Sequence, residues 1–218
     1  MELRLLSVNV GLPRIIGEMQ GEPVLSGFGK YPVNVPSVLV GATNIAGDGQ
    51  ADLTVHGGAD KAVYCYPADN WPWWEREKNF PCKPAAFGEN LTVEGADETM
   101  IAIGDRFRWG EAVLEVCQPR APCFKFVIFS RRADAGALMT VSGRCGWYCR
   151  VVREGQAPVQ AASLVLEERS GGPSVREAFF AALNPHFPAE GRAKVAAAPG
   201  LAASWQRAVS RSPNRSNL

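Results

Sequence analysis

Histidine is scarce in this 218-residue chain, which has two, and none of its six cysteines forms a C-x-x-C pair. Structural zinc sites are commonly built from such pairs with histidines, so the spacing argues against a structural zinc site. No apolar run approaches the roughly eighteen residues of a membrane-spanning helix, and we expect no membrane partner. The formal net charge is only +1, which gives no overall attraction to nucleic acid.

We also expect no secretory signal peptide at the N-terminus. Met1 to Ser7 carries charges where a secretory signal needs an apolar stretch, and no small-residue cleavage site follows. Cysteines in a leaderless chain of this size are expected to be reduced thiols rather than a disulfide framework. The sequence therefore predicts a cytoplasmic protein.

Short apolar runs between Gly, Pro, Asn and Asp are the main feature of residues 1–169. They predict a mainly β fold in the form of a closed or nearly closed barrel. The runs are residues 3–10, 38–40, 53–55, 62–66, 91–93, 106–109, 112–116, 124–129, 147–152 and 163–166. Residues 67–78, with Asn70 as a cap, form the one clear helix candidate in this region.

The composition changes after Ser170, where the chain becomes rich in alanine with helical spacing. Ser174 and Glu177 have the spacing of a capping box. Three helices are predicted, over residues 175–183, 189–197 and 201–210, followed by a flexible tail at 212–218. We therefore divide the chain into a β domain, 1–169, and a small three-helix segment, 173–211. About forty residues are too few to be stable alone, so the helices should dock on the barrel or on a second subunit in a homodimer.

The loop at residues 117–125 is the first candidate for chemistry. Pro119 and Pro122 stiffen its backbone, while Arg120 and Lys125 place cations near Cys123. Neighbouring cations favour the thiolate, which is the form that attacks electrophiles or binds soft metals. The alternative, that Cys123 is a small buried apolar residue, stays open at this point.

Two further loops contain groups that can bind an anion. Gly57 and Gly58 could present backbone N–H groups, and Lys61 could add a charge for a phosphate. His56 precedes this glycine pair, and Asn90 lies at a loop-to-strand junction. Each of these residues also has an ordinary structural explanation as part of a turn.

Five motifs taken in order resemble the MOSC domain, named for the C-terminal region of molybdenum-cofactor sulfurase, and in particular its YiiM-like branch. They are V-H-G-G-x-D-K-A, F-G-E-N-L-T, I-G-D-R-F-R-W-G-E-A-V-L-E-V, Q-P-R-x-P-C and G-W-Y-x-R-V-V. The resemblance covers roughly residues 30–165. The three-helix tail is similar, more loosely, to the three-alpha segment that follows the domain in that branch.

The resemblance implies a MOSC-type β-barrel that binds a molybdopterin-type molybdenum cofactor, with Cys123 as the metal ligand and catalytic residue. Family members of this kind reduce N-hydroxylated compounds, including hydroxylamino forms of nucleobases. The residues that would hold the phosphate and pterin are His56, Gly57, Gly58, Lys61, Asn90 and Arg120. Since no flavin, haem or iron–sulfur signature is present, electrons would come from a separate donor protein.

Two other functions are consistent with the same residues. A non-catalytic module that carries the molybdenum cofactor or its sulfur would need the same cysteine and anion-binding loops. A cofactor-free thiol enzyme would use Cys123 as a nucleophile, although no histidine lies near it in sequence. We expect the segment after Pro173 to support assembly or a neighbouring surface and not to carry the redox step.

Overall fold

The computed structural model describes residues 1–51 and 57–211. The strands are β1 (Glu2–Val10), β2 (Arg14–Met19), β3 (Glu22–Ser26), β4 (Tyr31–Pro32), β5 (Ser37–Gly41), β6 (Asn44–Ile45), β7 (Val63–Pro67), β8 (Leu91–Glu94), β9 (Arg106–Trp109), β10 (Ala112–Pro119), β11 (Trp147–Arg153), β12 (Gly155–Pro158) and β13 (Ser163–Glu168). The helices are α1 (Phe124–Ser130), α2 (Ala135–Ser142), α3 (Val175–Leu183), α4 (Ala189–Ala196) and α5 (Ala203–Ser210).

Seven of the strands close into a barrel, as the sequence predicts. Their order is β13-β9-β10-β11-β7-β8-β1, and β1 pairs again with β13 through Leu3 and Leu164. Closure leaves no unpaired edge between these strands. The pairing of β7 with β8 is parallel, whereas the other barrel pairs are antiparallel.

Strand β10 is buried at every position, although its sequence alternates. Its inner face fills the barrel, and its outer face is covered by the C-terminal helices, because α3 packs against β10. The amide of Ala202, just before α5, donates to the carbonyl of Cys117 over 2.9 Å. The three-helix segment therefore docks on the barrel of its own chain.

The helix caps agree with the sequence. Ser174 accepts a hydrogen bond from the amide of Glu177, whose carboxylate accepts one from the amide of Ser174, so the capping box is complete. Helix α3 has the predicted bounds, and α4 and α5 begin and end within two residues of theirs. Residues 53–55, predicted as a strand, and 212–218, predicted as a flexible tail, lie outside the described residues.

The strand predicted for residues 124–129 is wrong, because this segment forms α1. Cys123 is extended, with φ of −139°, and serves as the N-cap; Arg131 ends the helix in the left-handed region. A run that is apolar at nearly every position has no period that separates strand from helix. Phe126, which packs on Phe28 and Phe87, fixes the result through tertiary contacts.

The helix predicted at 67–78 is present as short turns, a 3-10 turn over Ala68–Asn70 and a π turn over Trp73–Glu77. Asn70 does not cap it. Its Nδ2 donates to the buried Glu98 carboxylate, at 2.9 and 3.1 Å. No helix within residues 1–51 and 57–211 is long and apolar enough to cross a membrane.

Candidate active site

A cavity of about 550 Å³ opens between the barrel and the C-terminal helices. The loop after β3, the loop between β10 and α1, and tyrosines of β7 and β11 form three of its walls. Side chains of α3 and α5 form the fourth. Arg120, Cys123, Lys61 and Asn90 all line it, so the fold brings together four of the seven residues selected from the sequence.

Cys123 is the last residue of the β10–α1 loop and is partly buried. Its Sγ lies 3.8 Å from Nη2 of Arg120. Pro119 ends β10, as predicted, and the amide of Arg120 donates to the carbonyl of Gly146 over 3.3 Å. The loop thus holds a thiol and a fixed positive charge side by side.

The guanidinium of Arg120 is buried, with 3% of the residue exposed. Its Cζ lies 5.0 to 5.8 Å from the ring centroids of Phe28, Tyr64 and Phe126. Nη1 contacts Sδ of Met139 at 3.1 Å, and no carboxylate of the described chain lies within ion-pair distance. A buried cation is costly unless it is paired, so this arrangement is suited to an anion that enters the cavity.

Lys61 ends the 3-10 turn Ala59–Lys61, and burial lowers the pKa of its ammonium while Asp60 opposes that shift. The turn is anchored to β10 and β11. The carbonyl of Asp60 accepts from Nε2 of Gln118 over 2.8 Å, and its carboxylate pairs with Arg150 at the same distance. Lys61 is therefore mounted on the barrel wall next to the cysteine loop.

The other three predicted residues are placed differently. Gly57 and Gly58 are described but do not line the cavity; Gly58 has φ of +92°, which favours glycine, and its carbonyl accepts from the amide of Lys61. His56 lies outside the described residues. Their assignment to a cofactor remains a prediction.

Asn90 lines the cavity but is already committed to the protein. Its Oδ1 accepts from the amide of Tyr64 over 3.1 Å. Its Nδ2 donates to the carbonyl of Asn9 at 3.3 Å and to Oδ2 of Asp48 at 2.9 Å. Both amide hydrogens are used, so Asn90 positions the wall of the cavity.

Sequence reasoning missed the ion pair of Lys30 and Asp48, which also line the cavity. No local pattern in the sequence marks this pair, although the glycines on either side of Phe28 allow the close approach of its loop to the loop of Asp48. A Cβ at Gly27 would stand 2.1 Å from the carbonyl oxygen of Gly49, so only glycine allows the two loops to meet.

The C-terminal helices, which we expect to support assembly and not the chemical step, also contribute to the cavity wall. Leu183 of α3 and Trp205 of α5 line the cavity. Ser204 donates to Oε1 of Gln118 over 3.3 Å, which fixes α5 to the end of β10. Tyr64 and Tyr148 form the facing wall, with ring centroids 5.0 Å apart. The cavity therefore combines aromatic walls with several cations.

The cavity has the features of a site for a planar, anionic group with a soft metal. Within the described residues, no group of three or more His, Cys, Asp and Glu side chains is placed to hold a metal ion. A metal at Cys123 would therefore need most of its ligands from a cofactor. Thiolate is a suitable protein ligand for a thiophilic metal, and Arg120 with Lys61 supplies cations for a phosphate.

Comparisons with known proteins agree with the motifs. The MOSC domain family matches residues 52–165. Protein YiiM of Escherichia coli (strain K12) is 35% identical over 207 residues, covering 93% of this chain and 90% of YiiM. Protein YflK of Bacillus subtilis (strain 168) is 42% identical over 171 residues, covering 78% of this chain and 76% of YflK.

A more partial relative and a solved structure extend these matches. A protein of Gibberella moniliformis (strain M3125 / FGSC 7600) named as a reductase is 35% identical over 157 residues, which are 69% of this chain and 27% of that protein. The crystal structure of YiiM from Geobacillus stearothermophilus superposes with a TM-score of 0.78 at 31% identity, covering 95% of this chain and 97% of that one. The resemblance drawn from the motifs is confirmed.

Proposed function

We propose, from the premise that this chain belongs to the MOSC domain family, that it is a molybdenum-cofactor-dependent reductase of N-hydroxylated compounds. The observation that carries the proposal is the pair formed by a partly buried Cys123 and a buried Arg120 without a carboxylate partner in the described chain. The name of the Gibberella relative supports reductive chemistry. Membership of the family itself gives the coarser conclusion of a molybdenum-related function.

Each cavity residue has a distinct role in this proposal. Cys123 would ligate the molybdenum through its thiolate. Arg120 and Lys61 would bind the phosphate of the pterin, because a phosphate dianion is held best by several fixed donors. Asn90 would keep its contact with Asp48 and so shape the wall, while Gly57, Gly58 and His56 would approach the cofactor from the segment before Lys61.

When bound, the cofactor would supply the redox centre that removes oxygen from an N–O bond. The chain's own residues would orient the substrate and exclude water. Tyr148 and Trp205 offer apolar faces on which a planar heterocycle can stack, which fits a hydroxylaminopurine-like substrate. Electrons would come from a separate donor protein in the cytoplasm.

The test is to purify the protein from a host that makes the molybdenum cofactor, and to measure molybdenum, pterin and turnover together. We expect about one equivalent of each, and conversion of a hydroxylaminopurine to the aminopurine with a reduced viologen dye as electron source. Bound cofactor without any N-hydroxy reduction would identify a carrier module instead. Full thiol reactivity with no molybdenum under these conditions would indicate a cofactor-free thiol enzyme.

A further inference from the structure

The wall of the cavity contains a buried ion pair that the proposed function leaves without a role. The side chain of Lys30 is 7% exposed and that of Asp48 is fully buried, and Nζ of Lys30 contacts Oδ1 of Asp48. The carboxylate is held from two more directions. Oδ1 accepts from the amide of Gly11 and Oδ2 from Nδ2 of Asn90, each over 2.9 Å.

This pair is unequal in its hydrogen bonding. Asp48 accepts three hydrogen bonds, whereas the ammonium of Lys30 makes one within residues 1–51 and 57–211. A lysine ammonium has three donors, so two N–H groups of Lys30 are left for whatever occupies the cavity. Stability alone does not explain such a pair, since burying two charges costs about as much as their attraction returns.

The other titratable groups of the cavity are less suited to give up a proton. Arg120 does not deprotonate in proteins. Burial raises the pKa of Tyr64 and of Tyr148, and the hydroxyl of Tyr64 is already donated to the carbonyl of Cys145 over 2.8 Å. Lys61 and Lys125 also line the cavity, and their places beside and within the cysteine loop suit the phosphate better.

Burial acts on Lys30 in the direction that an acid catalyst needs. Removal from water lowers the pKa of its ammonium, and Asp48, with a smaller effect from Glu89, opposes the shift without cancelling it. These two carboxyl groups are the charged groups that act on Lys30 from the loops packed against it. A lysine whose pKa lies closer to the working pH is a better general acid.

We propose that Lys30 is a catalytic residue that protonates the departing oxygen of the N-hydroxylated substrate, while Asp48 holds its ammonium in place. The proposal rests on the function proposed above. The balanced reaction is R–NH–OH + 2 e⁻ + 2 H⁺ → R–NH₂ + H₂O, in which the N–O bond breaks and nitrogen is reduced. The electron-donor protein supplies both electrons, Lys30 gives one proton to the oxygen, and solvent gives the second and returns Lys30 to its charged form.

Three substitutions at this position separate the roles. Lys30→Arg keeps the positive charge and the contact with Asp48 but cannot release a proton, and it avoids leaving a buried carboxylate unpaired. Lys30→Met retains the volume of the stem, and Lys30→Ala leaves space for a small amine. Lys83→Met, which removes an exposed lysine before β8, is the matched control.

For Lys30→Arg we expect cofactor content within about twofold of the unsubstituted protein and a fall in kcat of roughly 10²- to 10⁴-fold, the usual size of a general acid contribution. In the unsubstituted protein, activity should fall at high pH as Lys30 loses its proton. The residual activity of Lys30→Arg should not show this fall. Added primary amines should restore Lys30→Ala, more strongly for amines of lower pKa. Unchanged kcat in Lys30→Arg, or a parallel loss of cofactor content, would overturn the assignment and leave Lys30 as an anion-binding residue.

A readout that needs no turnover is the titration of Lys30 itself in the protein without cofactor. The ¹⁵Nζ resonance that disappears in Lys30→Met should titrate below the ordinary lysine range. A titration at or above that range would contradict the proposal even if all activity assays failed. If the unsubstituted protein has a normal cofactor content but no activity, the proposed function is wrong, whereas the titration result for Lys30 still stands.

Discussion

Nη2 of Arg120 lies 3.8 Å from Sγ of Cys123, and both residues belong to the short loop that joins β10 to α1. The loop is anchored at its start by Pro119 and at its end by the first turn of α1, where the amide of Phe126 donates to the carbonyl of Cys123 over 3.0 Å. The thiol and the guanidinium are therefore held in fixed relation before any ligand binds. Such preorganisation is what a metal-ligating thiolate requires.

The first prediction concerns Cys123 and Cys117, the two cysteines of residues 117–125. Cys123→Ala should abolish N-hydroxy reduction and molybdenum binding with little change in the urea midpoint, because the residue is only partly buried. Cys117→Ala is the control. Cys117 is fully buried on β10, with its Sγ 3.1 Å from the carbonyl oxygen of Asp60, so its loss should affect stability more than activity. Full activity in Cys123→Ala would contradict the assignment.

The second prediction concerns the cations. Arg120→Met retains volume against the three aromatic rings. It should weaken the affinity for the cofactor roughly ten- to hundred-fold, since charge-assisted hydrogen bonds contribute about 1.5 to 3 kcal/mol, and so lower cofactor occupancy. Lys61→Ala should act in the same direction. Occupancy is measured by molybdenum analysis after gel filtration. Arg153→Met, at an exposed position on β11, should leave occupancy unchanged; equal effects in Arg120→Met and Arg153→Met would reject a phosphate site at Arg120.

Much of this architecture could be read from the sequence because the signals are local. The bounds of α3 follow from the Ser174–Glu177 capping box, and β9 with the start of β10 follows from alternation around Gly110. Cys123 and Arg120 could be placed together because they are three residues apart. Lys61 and Asn90 were linked to them only through the family resemblance.

The remaining features depend on contacts between distant residues. Helix α1 has an apolar sequence typical of a strand and is fixed by the packing of Phe126. Lys30 and Asp48 are eighteen positions apart in loops with no periodic pattern, and nothing local indicates that they pair. Trp205 reaches the cavity because α5 docks on β10, which is a tertiary event that helical spacing does not encode.

A third prediction follows from that docking. Trp205→Leu should lower kcat/KM for a hydroxylaminopurine by about tenfold or more, because stacking of a base on an aromatic side chain contributes about 1 to 3 kcal/mol. A small substrate such as N-hydroxyurea has no ring to stack and should be reduced at nearly the normal rate. Val209→Ala, also in α5 but away from the cavity lining, controls for loosening of the helix.

A protein truncated after Ser170 would lack the cavity wall that α3 and α5 form. It should lose stability, because Ala202 no longer donates to Cys117 and the outer face of β10 is uncovered. Sedimentation, molybdenum analysis and single-turnover reduction of both substrates measure the result. Retained cofactor with selective loss of the purine substrate would agree with a specificity wall. Loss of reduction of both substrates by a folded, loaded truncation would place the chemical step partly in the tail.

A fourth prediction tests the capping box at the start of α3. Ser174→Ala removes the acceptor for the amide of Glu177 and should cost about 1 kcal/mol, as N-cap serine substitutions usually do. For a protein of this size the thermal midpoint should fall by about 2 to 4 °C. Cofactor content should not change, and Ser174→Asp should restore the midpoint; a loss larger than about 3 kcal/mol would indicate that Ser174 has a further partner.

The last prediction concerns pH and the buried Glu98. Its Oε1 accepts from the amide of Gly146 over 2.7 Å, and the carbonyl of Gly146 accepts from the amide of Arg120. The carboxylate therefore holds the residue to which the cysteine loop is hydrogen-bonded. Burial raises the pKa of Glu98 above its usual value of 4.5, against the opposing effect of its hydrogen bonds. Between 4.5 and the raised value the folded protein binds more protons than the unfolded chain. The stability contributed by this group must therefore decrease as pH rises through that window.

Glu98→Gln cannot ionise, so that part of the pH dependence should be absent from its unfolding free energy. The unfolding free energy of the variant, relative to that of the unsubstituted protein, should be lowest near pH 4.5 and should increase toward pH 7.5. Urea unfolding at five pH values across this range measures the difference. Asp97→Asn is the control with a flat difference over this range, because the hydrogen bonds from Thr99 hold the pKa of Asp97 below its usual value of 3.8 and the pH window in which it affects stability lies below 4.5. If the Glu98→Gln difference is flat across the range, the Glu98 carboxyl titrates normally, and its burial has no effect on the stability of the loop that positions Arg120 and Cys123.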